Sequence, residues 1–325
     1  MPEQTTSLHL YYLKSFTTMK KPLSILLGVL ILLICVVALG AAYVNFAPIP
    51  KHEAQAPELR IEADSAMIAR GERLVSLSCA LCHVGKKGRA MEGGPWREKD
   101  LGALYVANLT RHPESAASRY TDGEMALLLR TGIKQNGEMA LTMPRYAHLS
   151  DRDLQSIIAF LRSDSPLTAP SDKTWPEREL NMLGKVLTRV AIKPLQYNSN
   201  VADPDFADPV AHGRYLAHNL ACYHCHSADF ATVNEWEPEK SEGYFGGGNG
   251  IVRKESPEKI PSTNLTPHPT NGLGRYAMAQ FGDAVRYGKR NDGSTLDHSM
   301  PRFTNLNDEE VGALWAYLQT IPALE

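Results

Sequence analysis

The chain has 325 residues, a net charge of −2, and 43% hydrophobic against 22% charged residues. That balance excludes a basic nucleic-acid binder and a disordered polyelectrolyte, and the length suits about two domains. Twenty-one Pro and 24 Gly predict a loop-rich fold, and the five cysteines leave no obvious disulfide pair once their motifs are read.

The first element is an apolar run, Leu23 to Val44, without a charged residue and long enough to cross about 30 Å of hydrocarbon as a helix. Lys14, Lys20 and Lys21 precede it and no Lys or Arg follows until Lys51, so the positive-inside bias puts the N-terminus in the cytoplasm. Met19-Lys20-Lys21 also resembles the start of a cleaved signal peptide, and the start at Met1 or Met19 stays open. The run exceeds the usual h-region and no clear A-x-A site follows, so we read an uncleaved signal anchor. Cys35 lies inside it behind Ile34, where a lipoprotein anchor needs a small residue, so it is read as a packing or lipid-facing side chain.

Cys79-Ala80-Leu81-Cys82-His83 and Cys222-Tyr223-His224-Cys225-His226 hold the other four cysteines. C-x-x-C alone would equally suit a zinc half-site or a redox dithiol, and two pairs could share one zinc. Neither explains a His directly after both pairs. C-x-x-C-H is the attachment pattern of c-type haem: two thiols add to the vinyl groups and the His becomes an axial iron ligand. Two covalently bound haem c groups are therefore expected, on Cys79, Cys82, Cys222 and Cys225, with His83 and His226 on iron. Attachment outside the bacterial cytoplasm agrees with the direction read for the anchor.

Self-comparison shows that the motifs sit in two copies of one longer pattern. Ile68-Ala69-Arg70-Gly71-Glu72-Arg73-Leu74 matches Val210-Ala211-His212-Gly213-Arg214-Tyr215-Leu216, and Asn108-Leu109-Thr110 matches Asn264-Leu265-Thr266. Tyr120, Arg130, Gly132 and Gly137 match Tyr276, Arg286, Gly288 and Gly293; Met143-Pro144-Arg145-Tyr146 matches Met300-Pro301-Arg302-Phe303. Each copy closes on a helix with a start signal, Ser150 with Asp153 and Asn307 with Glu310; Thr121 with Glu124 opens a further one. Leu154, Ile157, Ile158 and Leu161, like Val311, Leu314, Trp315 and Leu318, form one apolar stripe.

A sixth iron ligand is expected from a loop before the last helix. Met143 and Met300 stand there, and a thioether ligand raises the reduction potential. His148 and His298 are the competitors. His112 and His268 are read as loop histidines that line a haem edge or face solvent, and Arg145 and Arg302 as partners of haem propionates or of surface carboxylates. The second copy is longer between its motif and Asn264; the insertion, with Trp236, Tyr244, Phe245 and Gly246-Gly247-Gly248, is read as a cover for an edge of the second haem or as a flexible loop. The Pro-rich stretch 164–208 is too long for a tether. A helix is expected there from Glu177 to Val190, with Leu180, Leu183, Leu187 and Val190 packed on one or both domains.

These residues together resemble class I c-type cytochromes, and most of all the multi-haem cytochrome subunits of membrane-bound alcohol and gluconate dehydrogenases. Gly93-Gly94 and Gly247-Gly248 stand at that family's Gly-Gly loop, and Thr266-Pro267 fits its Asn-Leu-Thr-Pro stretch while Thr110-Arg111 departs from it. Family members carry three haem domains and a C-terminal anchor; this chain has two motifs and an N-terminal apolar run. The resemblance implies an all-α fold, His/Met ligation and a role relaying electrons near the membrane.

The expected organisation is a cytoplasmic tail 1–22, a transmembrane signal anchor 23–44, a linker 45–64, cytochrome c domains 65–163 and 209–325, and an interdomain linker with a helix, 164–208. The expected function is a single-pass cytochrome of a bacterial inner membrane with its haem domains in the periplasm. It is read as an electron carrier or electron-transfer subunit rather than an enzyme, passing single electrons between a membrane or periplasmic donor and a downstream acceptor. Redox partners are expected among dehydrogenases, quinol-oxidising complexes and terminal oxidases, with no nucleic acid. The alternative is a di-haem peroxidase or sulfur-compound oxidase with one non-Met or open haem.

Overall fold

The computed structural model of the protein describes residues 20–85, 88–96, 100–253, 256 and 258–325. Most of the expected tail 1–22, with Lys14 and Met19, lies outside the described residues.

Helix α1, Lys20–Phe46, is the one helix among the described residues long and apolar enough to cross a membrane, and its apolar stretch from Leu23 to Phe46 is not buried in the protein. Residues 47–64 then run along the first repeat. His52 N–H donates to the Gly137 carbonyl (2.7 Å) and Ile61 N–H to Asp122 Oδ2 (3.1 Å).

The first repeat opens with α2, Ser65–Leu77, capped by Asp64, which accepts from Met67 N–H (2.7 Å). A single turn, α3 (Ala80–His83), carries the motif. Short ribbons follow: β1 (Gly94–Pro95) and β2 (Gly102–Ala103), then β3 (Tyr105–Val106), which pairs antiparallel with β1. Then come α4 (Ala116–Arg119), α5 (Asp122–Thr131) and α6 (Asp151–Arg162). The start signals read from the sequence are used: Thr121 and Glu124 form a reciprocal capping box, and Ser150 Oγ accepts from Asp153 N–H (3.1 Å). Helices α2 and α6 cross at Gly71, where a Cβ would lie 1.8 Å from the Ser156 carbonyl oxygen. Only a residue without a side chain allows so close a crossing.

The second repeat repeats these parts. After the linker elements β4 (Glu179–Leu180) and α7 (Met182–Val190) come α8 (Pro209–Asn219) and α9 (Cys222–His226). The ribbon β5 (Gly250–Val252) with β6 (Lys259–Pro261) precedes α10 (Met278–Tyr287) and α11 (Asp308–Leu318). Helices α8 and α11 cross at Gly213, whose Cβ would lie 1.9 Å from the Ala313 carbonyl oxygen. Gly132 and Gly288 end α5 and α10 in the left-handed region, with φ of 80° and 70°. The apolar stripes of α6 and α11 face inward: Leu154, Ile157, Ile158 and Leu161 are buried in one core, and Val311, Leu314 and Leu318 in the other.

The linker differs from its sequence reading. Glu179–Leu180 is a strand paired with Gly102–Ala103, and the helix starts only at Met182, capped by Asn181, which accepts from Gly184 N–H (2.9 Å). The side chains expected to pack do not all do so: Leu183 and Val190 are exposed. What packs is the opposite face, where Gly184 sits against the Leu101 carbonyl and Thr188 is buried. Upstream, Thr168 is fully buried and Trp175 Nε1–H donates to the Glu92 carbonyl (2.7 Å), so this part of the linker packs on the first repeat.

The repeats meet along α2, α6, α8 and α11. Arg73 pairs with Glu310, and Arg70 with Asp153, which also accepts from Tyr215 Oη–H (2.6 Å). Leu77, from the first repeat, is part of the second core.

Candidate functional site: two apolar crevices that share a wall

Each motif turn opens onto an apolar crevice. The first is lined by Cys79, Cys82 and His83 on one side and by Met143 and Pro144 on the loop before α6. Tyr120, Leu129, Ile157 and Leu161 supply its floor. The second repeats the arrangement with Cys222, Cys225 and His226, Met300 and Pro301, and Tyr276, Leu314 and Leu318. Residues far apart in sequence thus meet in one cavity in both copies. Among the described residues no cluster of three or more His, Cys, Asp or Glu side chains has the arrangement of a metal site, and the two C-x-x-C pairs line separate crevices, so a shared zinc site is not formed.

The two histidines are held alike. His83 Nδ1–H donates to the Ala107 carbonyl (2.8 Å) and His226 Nδ1–H to the Thr263 carbonyl (2.7 Å). A carbonyl only accepts, so Nδ1 carries the proton and Nε2 keeps its lone pair for a metal. Burial lowers both histidines toward the neutral form, His83 to about 4, although the carbonyl bond opposes it. A neutral imidazole with a free Nε2 is the state that binds iron. Burial pushes the Cys79 and Cys222 thiols up to about 12, which keeps both protonated until they react. Paired thiols, a correctly held His, a Met in the same lining and apolar walls fit a covalently attached haem.

The carbonyls that orient the histidines lie just before the Asn-Leu-Thr turns. Asn108 Oδ1 accepts from Thr110 N–H and Oγ1–H (2.9 and 2.7 Å); Asn264 Oδ1 does the same for Thr266 (2.8 and 2.7 Å). The asparagines then differ. Asn108 Nδ2 donates to the Ser171 and Lys173 carbonyls of the linker, Asn264 Nδ2 to the Leu324 carbonyl of the C-terminal tail. The motif was visible in the sequence; its purpose, closing a turn onto a later segment, was not.

The competing residues lie elsewhere. His148 and His298 do not line the crevices; His148 packs 5.6 Å from the His218 ring and 6.5 Å from Trp236. His112 Nδ1 accepts from Glu114 N–H (3.2 Å), and His268 Nδ1 from Asn271 N–H (3.1 Å), so each turns into its own loop. Arg145 pairs with Glu235 across the repeats and donates to the Lys193 carbonyl (2.6 Å). Arg302 donates to the Met300 and Leu296 carbonyls (2.6 and 2.7 Å) and so braces the methionine loop. The cations that line the crevices are Lys134 and Arg178 in the first and Arg290 in the second. Lys134 and Arg290 hold matching positions in the two copies, a signal the repeat carried, whereas Arg178 reaches the first crevice from the linker, where no repeat marks it.

The insertion divides its work. Phe245 and Ile251 line the second crevice, whereas Glu235 and Trp236 lie where the repeats meet. The crevices also touch: Leu220, Ala221, Pro301 and Phe303 line both. Ala221 adopts φ 54°, a left-handed conformation that costs energy for a residue with a Cβ, and it immediately precedes Cys222.

The all-α architecture and the two His- and Met-lined crevices are similar to those of class I c-type cytochromes. Residues 68–165 match the cytochrome c family model, so the first repeat is a cytochrome c domain and covalently bound haem c comes with it. The chain is similar to the cytochrome c subunit of alcohol dehydrogenase (quinone) from Gluconobacter oxydans, 27% identical over 81% of this chain and 56% of that protein. It is also similar to the fructose dehydrogenase cytochrome subunit of Gluconobacter japonicus, 29% identical over 79% of the chain and 53% of the relative. A di-haem cytochrome c-type protein of Cereibacter sphaeroides is 26% identical over 79% of the chain and 86% of its own length. The chain thus spans just over half the length of the two dehydrogenase subunits.

Proposed function

We propose that the chain is a membrane-anchored di-haem cytochrome c whose domains, residues 65–163 and 209–325, relay single electrons. In this reading Cys79 and Cys82, and Cys222 and Cys225, would attach the two haems, and His83 with Met143, and His226 with Met300, would hold their irons. The observation that carries it is that each crevice brings C-x-x-C-H and the Met-Pro loop together while four residues line both crevices.

Haem, when bound, would supply an iron that changes charge by one electron, and Met143 and Met300 would take the place on it that a substrate would need. The chain's own residues do the rest. The Ala107 and Thr263 carbonyls fix the imidazole tautomer and ring direction. Arg302 holds the backbone of the Met300 loop. The apolar walls exclude water, which lowers the cost of rearranging solvent when charge moves. Leu220, Ala221, Pro301 and Phe303 form a wall common to both crevices, across which an electron would pass.

The relatives' names support a dehydrogenase as the redox partner, and α1 supports attachment to a bacterial inner membrane with the repeats in the periplasm. Haem stoichiometry and a potentiometric titration of the purified protein test the reading. The expected result is two covalent haems that titrate as two one-electron steps and stay low-spin throughout. A single haem, or a high-spin signal from one site, would contradict it and favour an enzyme with an open iron.

A further inference from the structure

We infer that helix α7, Met182–Val190, is a second membrane contact: an interfacial helix lying on the outer headgroup layer of the bilayer that α1 crosses. The inference rests on reading α1 as a membrane span and adds to it a second point of contact.

Four observations meet in this helix. Met182, Leu183, Val186 and Val190 lie within one third of its circumference at 100° per residue, and Met182, Leu183 and Val190 are 46%, 50% and 69% exposed. Its other face is firmly held, since Gly184 packs on the Leu101 carbonyl, Thr188 is buried, and β4 just before it pairs with β2. The helix is therefore not a loose segment whose apolar side chains happen to face outward.

It is also joined to the end of α1. Lys185 Nζ–H donates to the Asn45 carbonyl and Oδ1 (2.9 and 2.7 Å), and Arg189 Nη2–H to the Ala47 carbonyl (2.7 Å). The Arg189 guanidinium lies 5.9 Å from the Tyr43 ring centroid. Tyr and flanking cations are typical of the headgroup level of a span. Residues 43–47 mark that level here, and α7 is hydrogen-bonded to it. A short helix with a solvent-exposed apolar stripe at the depth of the headgroups has lipid as its nearest apolar partner.

Site-directed nitroxide labelling of the full haem-loaded chain tests this. Labels are placed at Leu183→Cys, Val190→Cys, Val37→Cys and Tyr287→Cys in a Cys35→Ser background, in vesicles of phosphatidylethanolamine and phosphatidylglycerol. Collision rates with oxygen, which concentrates in lipid, and with a water-soluble nickel chelate are then compared. The unchanged haem spectrum of each variant shows that it is folded. The expected result is a several-fold higher oxygen-to-chelate ratio at 183 and 190 than at the exposed control 287, with the highest ratio at 37. Chelate access at 183 and 190 equal to that at 287, with 37 in lipid, would overturn the interfacial helix and leave the span standing. Immobile labels shielded from both reagents would mean that protein covers the face and would also overturn it. Chelate access at 37 would overturn the span and, with it, the inference.

Discussion

The two repeats use the same devices around their crevices but different segments to close them. In the first, the Asn-Leu-Thr turn is tied to Ser171 and Lys173, and the linker adds Trp175 and Arg178. In the second, the equivalent turn is tied to Leu324 of the tail, and the insertion adds Phe245 and Ile251. The linker therefore does for the first repeat what the tail and insertion do for the second. The shared set builds the crevices; the variable set decides which later segment closes each turn.

The largest test of this comparison removes one attachment site at a time. Cys79→Ser with Cys82→Ser, and Cys222→Ser with Cys225→Ser, should each lower the covalent haem content by one haem per chain, read by pyridine haemochrome assay. If either pair of substitutions abolished both haems, the repeats would not be independent binding units.

The helix crossings come next. Gly71→Ala and Gly213→Ala each place a methyl group within 1.9 Å of a carbonyl oxygen, so each should cost about 3 kcal/mol or more, overpacking against backbone that cannot step aside. Chemical denaturation of the two variants should give similar losses. A Gly71→Ala protein as stable as the parent would remove the structural equivalence of the repeats.

A smaller effect separates the turns. Asn108→Ala removes two donor bonds to linker carbonyls, Asn264→Ala only one to the tail. Losses of about 1–3 kcal/mol are expected, greater for Asn108. The reverse order would show that the linker contributes less to the first repeat than its hydrogen bonds suggest.

The smallest effect is a difference in pH response. His218 is buried in the second repeat, within hydrogen-bond distance of Tyr244 Oη (2.7 Å), and faces His148, Tyr223, Tyr317 and Glu239; Ser76 holds the matching position in α2. Burial lowers its pKa to about 4 against Glu239, which raises it. The unfolded chain therefore takes up a proton there that the folded chain does not. Its contribution to stability is present above about pH 6.5 and is lost as pH falls toward 4. Thermal melts should show a shallower decline over that window for His218→Gln than for the parent. An unchanged slope would move the origin of the acid sensitivity elsewhere.

What the sequence made legible was local or repeated. The C-x-x-C-H turns, the Met-Pro loops and the caps at Thr121, Ser150 and Asn307 each depend on residues a few positions apart, and duplication made them stand out. What it concealed was long-range. Leu183 and Val190 have the spacing of a core stripe, yet the buried face is set by Gly184 and Thr188, because only a glycine could approach Leu101 so closely. Arg145 and Arg302 share a motif but not a role, since the partner of Arg145, Glu235, lies in an insertion without a counterpart in the first repeat.

The central claim is that both irons are closed by methionine. The sulfur-to-iron charge-transfer band in the near-red spectrum of the oxidised protein reads this directly. The account predicts that Met143→Ala and Met300→Ala each remove about half of the band, and the double variant all of it, as expected for thioether ligation at each site. A single variant that kept the full band would show that its methionine is not on iron, and would contradict the relay.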